Sequence, residues 1–188
     1  MLVNFNMQRI AVDMDEVLVP LLKPMAQWHR RELPRKPKYP YLYRDIFGVT
    51  EEESQRMLHQ FYRSKDFLYL KPIEGSQRAM AEFRRGADKM YIVTGRQDTV
   101  RETTELWVER YFPGIFDDVI LTNSFTPHEV SKVDICRSLA LGVIIDDSID
   151  TCLKCIETGM DAIHFVGDEV YPWCEESDIS LNGWISHE

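Results

Sequence analysis

Five short apolar runs, separated by helix-like stretches, constrain this chain more than any other feature. They are Arg9–Val12, Met90–Thr94, Asp118–Thr122, Gly142–Asp146 and Ala162–Val166. Apolar runs of this length without polar alternation suit strands buried on both faces. Between them, Ser76–Arg85, Asp98–Tyr111, Ser131–Leu139 and Ser148–Thr158 carry helical spacing. Pro113-Gly114 and Gly159 stand where helices stop, and Ser131 reads as a helix N-cap. Strands alternating with helices, joined by right-handed crossovers, predict an α/β fold with a doubly wound parallel sheet.

Residues 20–72 break that rhythm. Pro20, Pro24, Pro34, Pro37, Pro40 and Pro72 punctuate them, with helix-like pieces at Leu21–Arg31 and Glu51–Tyr62. The pattern predicts a small helical cap inserted after the first strand, so that 1–19 and 73–188 form the core and 20–72 the cap. Several residues before Gln8 read as dispensable. Past Asp168 the tail is acidic and holds Trp173 and Trp184, with no element predicted.

Composition narrows the function classes. At 188 residues and 44% hydrophobic, the chain can bury a real core. Its net charge of −9 argues against a nucleic-acid polymer or an anionic membrane as partner. Residues 23–44 nevertheless hold seven Lys/Arg against Glu32, while residues 146–188 hold eleven acids against Lys154. These segments read either as two solvated faces or as a basic lip that attracts an anion. No apolar stretch is long enough to span a bilayer, and Met1–Ile10 lacks the pattern of a secretory signal. Cys136, Cys152, Cys155 and Cys174 are expected to be reduced thiols in a cytoplasmic protein. The Cys152/Cys155 pair falls inside a predicted helix without a second ligand pair, which disfavours zinc.

The chemistry lies at the strand ends. In open α/β sheets ligands bind beyond the carboxyl ends of the strands. Here the first strand delivers Asp13 and Asp15, the second Thr94, Gly95 and Arg96, and the fourth Asp146 and Asp147, with Asp150 one turn on. Lys132 precedes the fourth strand. Five acids and one lysine converging on one end of a sheet need a counter-charge, which a divalent metal supplies.

Val-Asp-Met-Asp-Glu-Val, Ile-Val-Thr-Gly-Arg, Ser-Lys-Val-Asp-Ile-Cys and Ile-Ile-Asp-Asp-Ser-Ile-Asp, in that order, resemble the four motifs of haloacid-dehalogenase-type phosphatases. The resemblance runs from about Arg9 to Val166. Within that superfamily the chain is most similar to the 5′(3′)-deoxyribonucleotidase group, through Asp-Met-Asp-Glu-Val, the short cap before Lys71-Pro72-Ile73-Glu74-Gly75, and Ile-Asp-Asp-Ser. The resemblance implies Mg²⁺, with Asp13 as nucleophile and metal ligand. It implies Asp15 as the group that protonates the leaving oxygen and activates water, its backbone carbonyl also reaching the metal. Asp147 is the second metal carboxylate, with Asp146 and Asp150 behind it holding water and Lys132. Thr94, Gly95 and Lys132 would bind phosphate. Arg96 would either orient phosphate or pair with a neighbouring acid.

Two departures stand out. Glu16 replaces the glycine commonest after the second aspartate. The lysine that the deoxyribonucleotidases carry on the helix after the second motif is absent, since Arg101 and Arg110 are the bases there, so Lys132 takes its role. The expected substrate is a small phosphomonoester, first a nucleoside monophosphate; of the cap aromatics Trp28, Tyr39, Tyr41, Tyr43, Phe47, Phe61, Tyr62, Phe67 and Tyr69, most are expected to form the cap's own core and one or two to offer a face for a base. A sugar phosphate, a polynucleotide end, phosphoryl transfer to another acceptor and a non-catalytic binding module are the alternatives. A homodimer is compatible with the sequence. Of the five histidines, His29 and His59 are expected to be surface or helix-face residues, and His128 and His164 structural.

Overall fold

The computed structural model describes residues 8–185; the segment before Gln8 lies outside them. Strands β1 (Arg9–Val12), β2 (Lys89–Thr94), β3 (Asp118–Leu121), β4 (Val143–Asp146), β5 (Asp161–Phe165) and β6 (Ser180–Leu181) form one sheet in the order β3-β2-β1-β4-β5-β6. Every pairing is parallel. The strand order reverses at β1, so the switch point lies between β1 and β4 and opens a crevice at their carboxyl ends.

Side chains alternate across this sheet as strand geometry requires. Ile10, Val12, Ile92, Val143 and Ile145 join one apolar cluster, with Met80 of α5 (Ser76–Gly86) and Trp107 and Val108 of α6 (Arg101–Tyr111). Ala11, Val93 and Ile144 join the other, with Cys136 of α7 (Lys132–Ser138) and Cys152 and Cys155 of α8 (Ile149–Glu157). The four cysteines are free and buried. Helices therefore cover both faces.

Between β1 and β2 lie α1 (Leu22–Trp28), α2 (Tyr43–Phe47), α3 (Glu51–Tyr62) and α4 (Lys65–Leu68), packed on one another. Thr50 and Ser64 cap α3 and α4 by accepting the Glu53 and Phe67 amides. The insertion shares its core with the sheet, since Leu58, Phe61, Tyr62 and Phe67 belong to the first cluster. The short helices α2 and α4 were not expected from the sequence, nor was the two-residue β6. Ser131 makes no side-chain capping bond, whereas Ser148 accepts the Thr151 amide and caps α8.

The tail braces the far side of the first loop. Trp184 stacks on Phe165 at 4.8 Å and donates its indole N–H to the Val17 carbonyl at 2.7 Å. Gly75 sits at φ +80°, where a Cβ would come within 2.8 Å of Ile185, so glycine lets α5 start against this tail. Replacing Trp184 with Phe keeps the ring and strands the Val17 carbonyl without its donor. The expected cost is about 1–2 kcal/mol, read as a lower urea midpoint at unchanged slope.

Candidate active site

The Asp13 amide donates to the Ile145 carbonyl at 2.8 Å, carrying the β1–β4 ladder one residue beyond β1. The chain then turns sharply, with the Leu18 and Val19 amides both returning to the Met14 carbonyl. Glu16 holds the tight position at φ +63°, a left-handed conformation that costs a side-chain-bearing residue about 1–2 kcal/mol. Here lies the physical reason glycine suits this place. Glu16 offsets the strain with its carboxylate, which accepts the Leu21 and Leu22 amides at 2.7 Å each. It thereby caps the start of α1 and ties the insertion to the loop that carries Asp13 and Asp15. Burial pushes the Glu16 carboxyl up to about 7, against those two amide bonds.

Asp13, Asp146 and Asp147 come together at the β1/β4 crevice. Their carboxylate oxygens lie within 4.8 Å of one another and all three residues are buried. Lys132, at the start of α7, donates to Asp13 at 2.8 Å and to Asp146 at 2.7 Å. Burial opposes the Lys132 charge, but Asp13 and Asp146 outweigh it and hold the ammonium protonated. One cation does not balance three acids. Burial, resisted by Lys132, pushes Asp13 up to about 7, and burial together with Asp13 and Asp146 pushes Asp147 well above the carboxylate range.

The oxygens differ in what they are free to do. Both Asp146 oxygens are engaged, one by Lys132 and one by the Ser148 amide at 2.9 Å. Asp147 Oδ2 accepts the Trp173 indole N–H at 2.9 Å, while Oδ1 is sealed and has no partner among the described residues. A buried carboxylate oxygen without a donor, on a residue clustered with two further aspartates, suits a divalent cation. The residues present therefore fit a metal, with Asp13 and Asp147 offering it oxygens and Asp146 committed to Lys132.

Asp15 is held differently. Arg96 grips it with two nitrogens, Nη2 to Oδ1 at 2.7 Å and Nε to Oδ2 at 3.1 Å. The Arg96 guanidinium is itself pinned by Thr104 at 3.1 Å and lies 4.9 Å from the centre of the Phe67 ring in α4. Of the two roles open to Arg96 in the sequence, the structure displays the ion pair. Thr94 is buried and Gly95 packs against Ser124, where a Cβ would come within 2.9 Å of its Oγ. Asp150 does not join the set. Ser148 caps α8, which puts Asp150 exposed in the first turn, where its charge favours the helix dipole; Lys132 takes its carboxylates from Asp13 and Asp146 instead.

A cavity of about 380 Å³ opens over these groups, within the range of small-molecule sites. Asp13, Asp15, Thr94, Gly95, Lys132 and Asp147 line its floor, and the insertion contributes Tyr41, Tyr43 and Tyr62. Tyr41 is 45% exposed and lines the cavity, and the charge of Asp147 is the main influence raising its phenol pKa. Sequence reasoning missed the contribution of the tail. Trp173 donates to Asp147, Tyr171 stacks on Trp173 at 4.7 Å and donates to the Glu16 carbonyl at 2.8 Å, and His164 lies against the Asp147 carbonyl at 3.1 Å. Only the unplaced tryptophans hinted at this.

Residues 6–135 match the family described as 5′ nucleotidase, deoxy (pyrimidine), cytosolic type C protein. The chain belongs to that family. This type C nucleotidase family and the fold make the protein a phosphatase of the haloacid dehalogenase superfamily, a phosphomonoester hydrolase. Solved structures share the architecture. A haloacid dehalogenase-like hydrolase from Streptococcus pneumoniae is 16% identical, with 85% of this chain and 84% of that one covered at a TM-score of 0.61. A family hydrolase from Deinococcus radiodurans R1, solved with phosphate and sodium, is 13% identical, with 92% and 86% covered at 0.58. A superfamily hydrolase from Ehrlichia chaffeensis is 14% identical, with 95% and 93% covered at 0.55. No curated protein sequence matches the chain. No helix among the described residues is long and apolar enough to cross a membrane.

Two predictions follow from the charge balance. Lys132→Met leaves Asp13 and Asp146 buried without their cation and is expected to cost about 3 kcal/mol in chemical denaturation. Asp13 and Glu16 bind protons more tightly folded than unfolded, each rising to about 7. Their contribution to stability is complete below about pH 4 and is lost as pH rises through about 7. Metal-free protein in EDTA should therefore melt at a higher temperature at pH 5 than at pH 8.

Proposed function

We propose that this phosphatase is a magnesium-dependent nucleotidase that hydrolyses nucleoside monophosphates through an aspartyl phosphate on Asp13. The observation that carries the reading is the floor of the cavity: Asp13 held 2.8 Å from Lys132, beside the unpartnered Asp147 oxygen. Asp13 and Asp147, with the Asp15 backbone carbonyl as the family resemblance implies, would hold Mg²⁺. The ion would neutralise the charge that otherwise keeps a carboxylate from a phosphate dianion.

The chain's own groups then divide the work. Thr94 and the Gly95 amide receive phosphate oxygens, and Lys132 balances their charge. Asp13 attacks phosphorus, and the bond from phosphorus to the ester oxygen breaks. Asp15, protonated and with one oxygen released from Arg96, gives that oxygen its proton, then takes one from the water that attacks the aspartyl phosphate, releasing phosphate and Asp13. Arg96 fixes the Asp15 carboxylate, and Phe67 from the insertion covers Arg96. Seating of the insertion is thereby coupled to the orientation of Asp15.

Residues 20–72 act as the cap and 1–19 with 73–188 as the core. The cap closes the cavity against water during transfer. Tyr41, Tyr43 and Tyr62 line it beside the catalytic floor, as a stacking base would require. A cytoplasmic location agrees with the nucleotidase family.

Phosphate release should favour nucleoside monophosphates over sugar phosphates and phosphorylated oligonucleotides, require Mg²⁺, and stop in EDTA. Asp13→Asn should lower kcat by on the order of 10⁴-fold or more, and Asp147→Asn should raise the Mg²⁺ concentration needed for half-maximal rate. A preference for sugar phosphates would remove the nucleotide from the proposal. Full activity of Asp13→Asn would remove the mechanism.

A further inference from the structure

One wall of the cavity carries a run of hydrogen-bonded side chains that the chemistry above does not use. Arg44 Nη1 donates to Glu51 Oε2 at 3.0 Å, and Gln55 Nε2 donates to Glu51 Oε1 at 2.9 Å. Gln97 Nε2 donates to Gln55 Oε1 at 3.2 Å and to the Ser124 carbonyl at 2.9 Å. Arg44, Glu51, Gln55, Gln97 and Ser124 all line the cavity. Arg44 lies on α2, Glu51 and Gln55 on α3, and Gln97 and Ser124 on loops of the sheet, so the run spans insertion and core.

Both amide orientations are fixed by chemistry. A backbone carbonyl only accepts, so Gln97 must turn its NH₂ toward Ser124. A carboxylate only accepts, so Gln55 must turn its NH₂ toward Glu51 and its carbonyl toward Gln97. Gln97 Oε1 is then left over, with no hydrogen bond among the described residues. It is not one of the sealed unpartnered atoms, which are Arg9 Nε, Asp147 Oδ1 and His164 Nδ1. Gln97 is 6% exposed and lines the cavity, so the cavity is the space from which a donor would reach this carbonyl.

An acceptor aimed into the cavity cannot face a phosphate dianion. It faces the other half of the substrate. Gln97 stands three positions along the chain from Thr94, so their Cα atoms are at most about 10 Å apart, a span on the scale of a nucleoside monophosphate. Arg44 neutralises Glu51, so the wall offers hydrogen bonding without net charge. That disfavours a second anionic group on the substrate and suits an uncharged N–H-bearing edge.

The geometry points to Gln97, held in register by Gln55, Glu51 and Arg44, as the specificity element of this phosphatase, accepting an N–H from the nucleobase edge of a nucleoside monophosphate. The inference rests on the nucleotidase reading and names the contact that reading lacks. A mere latch between insertion and core would use only the Gln97 NH₂ and gives no role to the carbonyl left over.

The test compares kcat/KM for a nucleoside 5′-monophosphate with that for the matching base-free pentose 5-phosphate. It uses the full-length Mg²⁺-loaded wild type, Gln97→Leu and Gln55→Leu, with thermal melts to establish folding. Gln97→Leu should lower the nucleotide-to-pentose ratio about tenfold, the scale of one hydrogen bond lost to a bound substrate, and mainly through KM. Gln55→Leu, on a more exposed helix face, should move the ratio in the same direction by a smaller factor. A wild-type ratio above one that neither variant changes, whether or not both rates fall together, overturns the specificity role and leaves the nucleotidase reading standing. A wild-type ratio near one overturns both.

Discussion

The ammonium of Lys132 between Asp13 and Asp146 is the interaction on which the site depends. Three buried aspartates at one crevice would repel one another and unfold the loops that carry them, were they all charged and unpaired. Lys132 meets two of them at 2.7–2.8 Å and leaves the third, Asp147, with an unpartnered oxygen. The incomplete balance shapes the site. It keeps Asp13 oriented and Asp146 occupied, and it leaves an Asp147 oxygen unpaired in a cluster of acids that fits a divalent ion. A protein selected only for stability would have paired or removed the third acid.

Around this centre, each loop at the carboxyl end of the sheet is tied to something distant in sequence. Glu16 caps α1 through the Leu21 and Leu22 amides, Arg96 joins Asp15 to Thr104 and Phe67, and Trp173 joins the tail to Asp147. Fixing carboxylates in advance matters because reorganising charged groups at the moment of reaction is costly. The insertion shares the first apolar cluster with the sheet, so its position over the cavity is set by packing as well as by hydrogen bonds.

Much of this was legible in the sequence, for a definite reason. Central strands of a parallel sheet are buried on both faces, so β1, β2 and β4 read as uninterrupted apolar runs, and the polar residues that end them mark the site. Asp13, Asp15, Thr94, Gly95, Asp146 and Asp147 could be placed that way, and Lys132 by its position at the start of the helix before the fourth strand. What was not legible was local structure held by tertiary contacts. Helices α2 and α4 are five and four residues long, too short for periodicity to show. Strand β6 exists because β5 offers it an edge. Trp173 and Tyr171 act on Asp147 and Glu16 across more than 20 and 150 residues of sequence, respectively. Asp150, expected beside Asp146 to hold water and Lys132, is exposed in the first turn of α8, while Lys132 meets Asp13 and Asp146.

The central claim is that Asp13 carries the phosphoryl group. Acid quench during turnover with Mg²⁺ and a nucleoside monophosphate, followed by peptide mass mapping, tests it most directly. The account predicts a phosphoryl group on the peptide containing Asp13, acid-stable and alkali-labile as an acyl phosphate is, and absent from Asp13→Asn. A phosphoryl group on another residue, or turnover with no covalent adduct at any quench time, would contradict it.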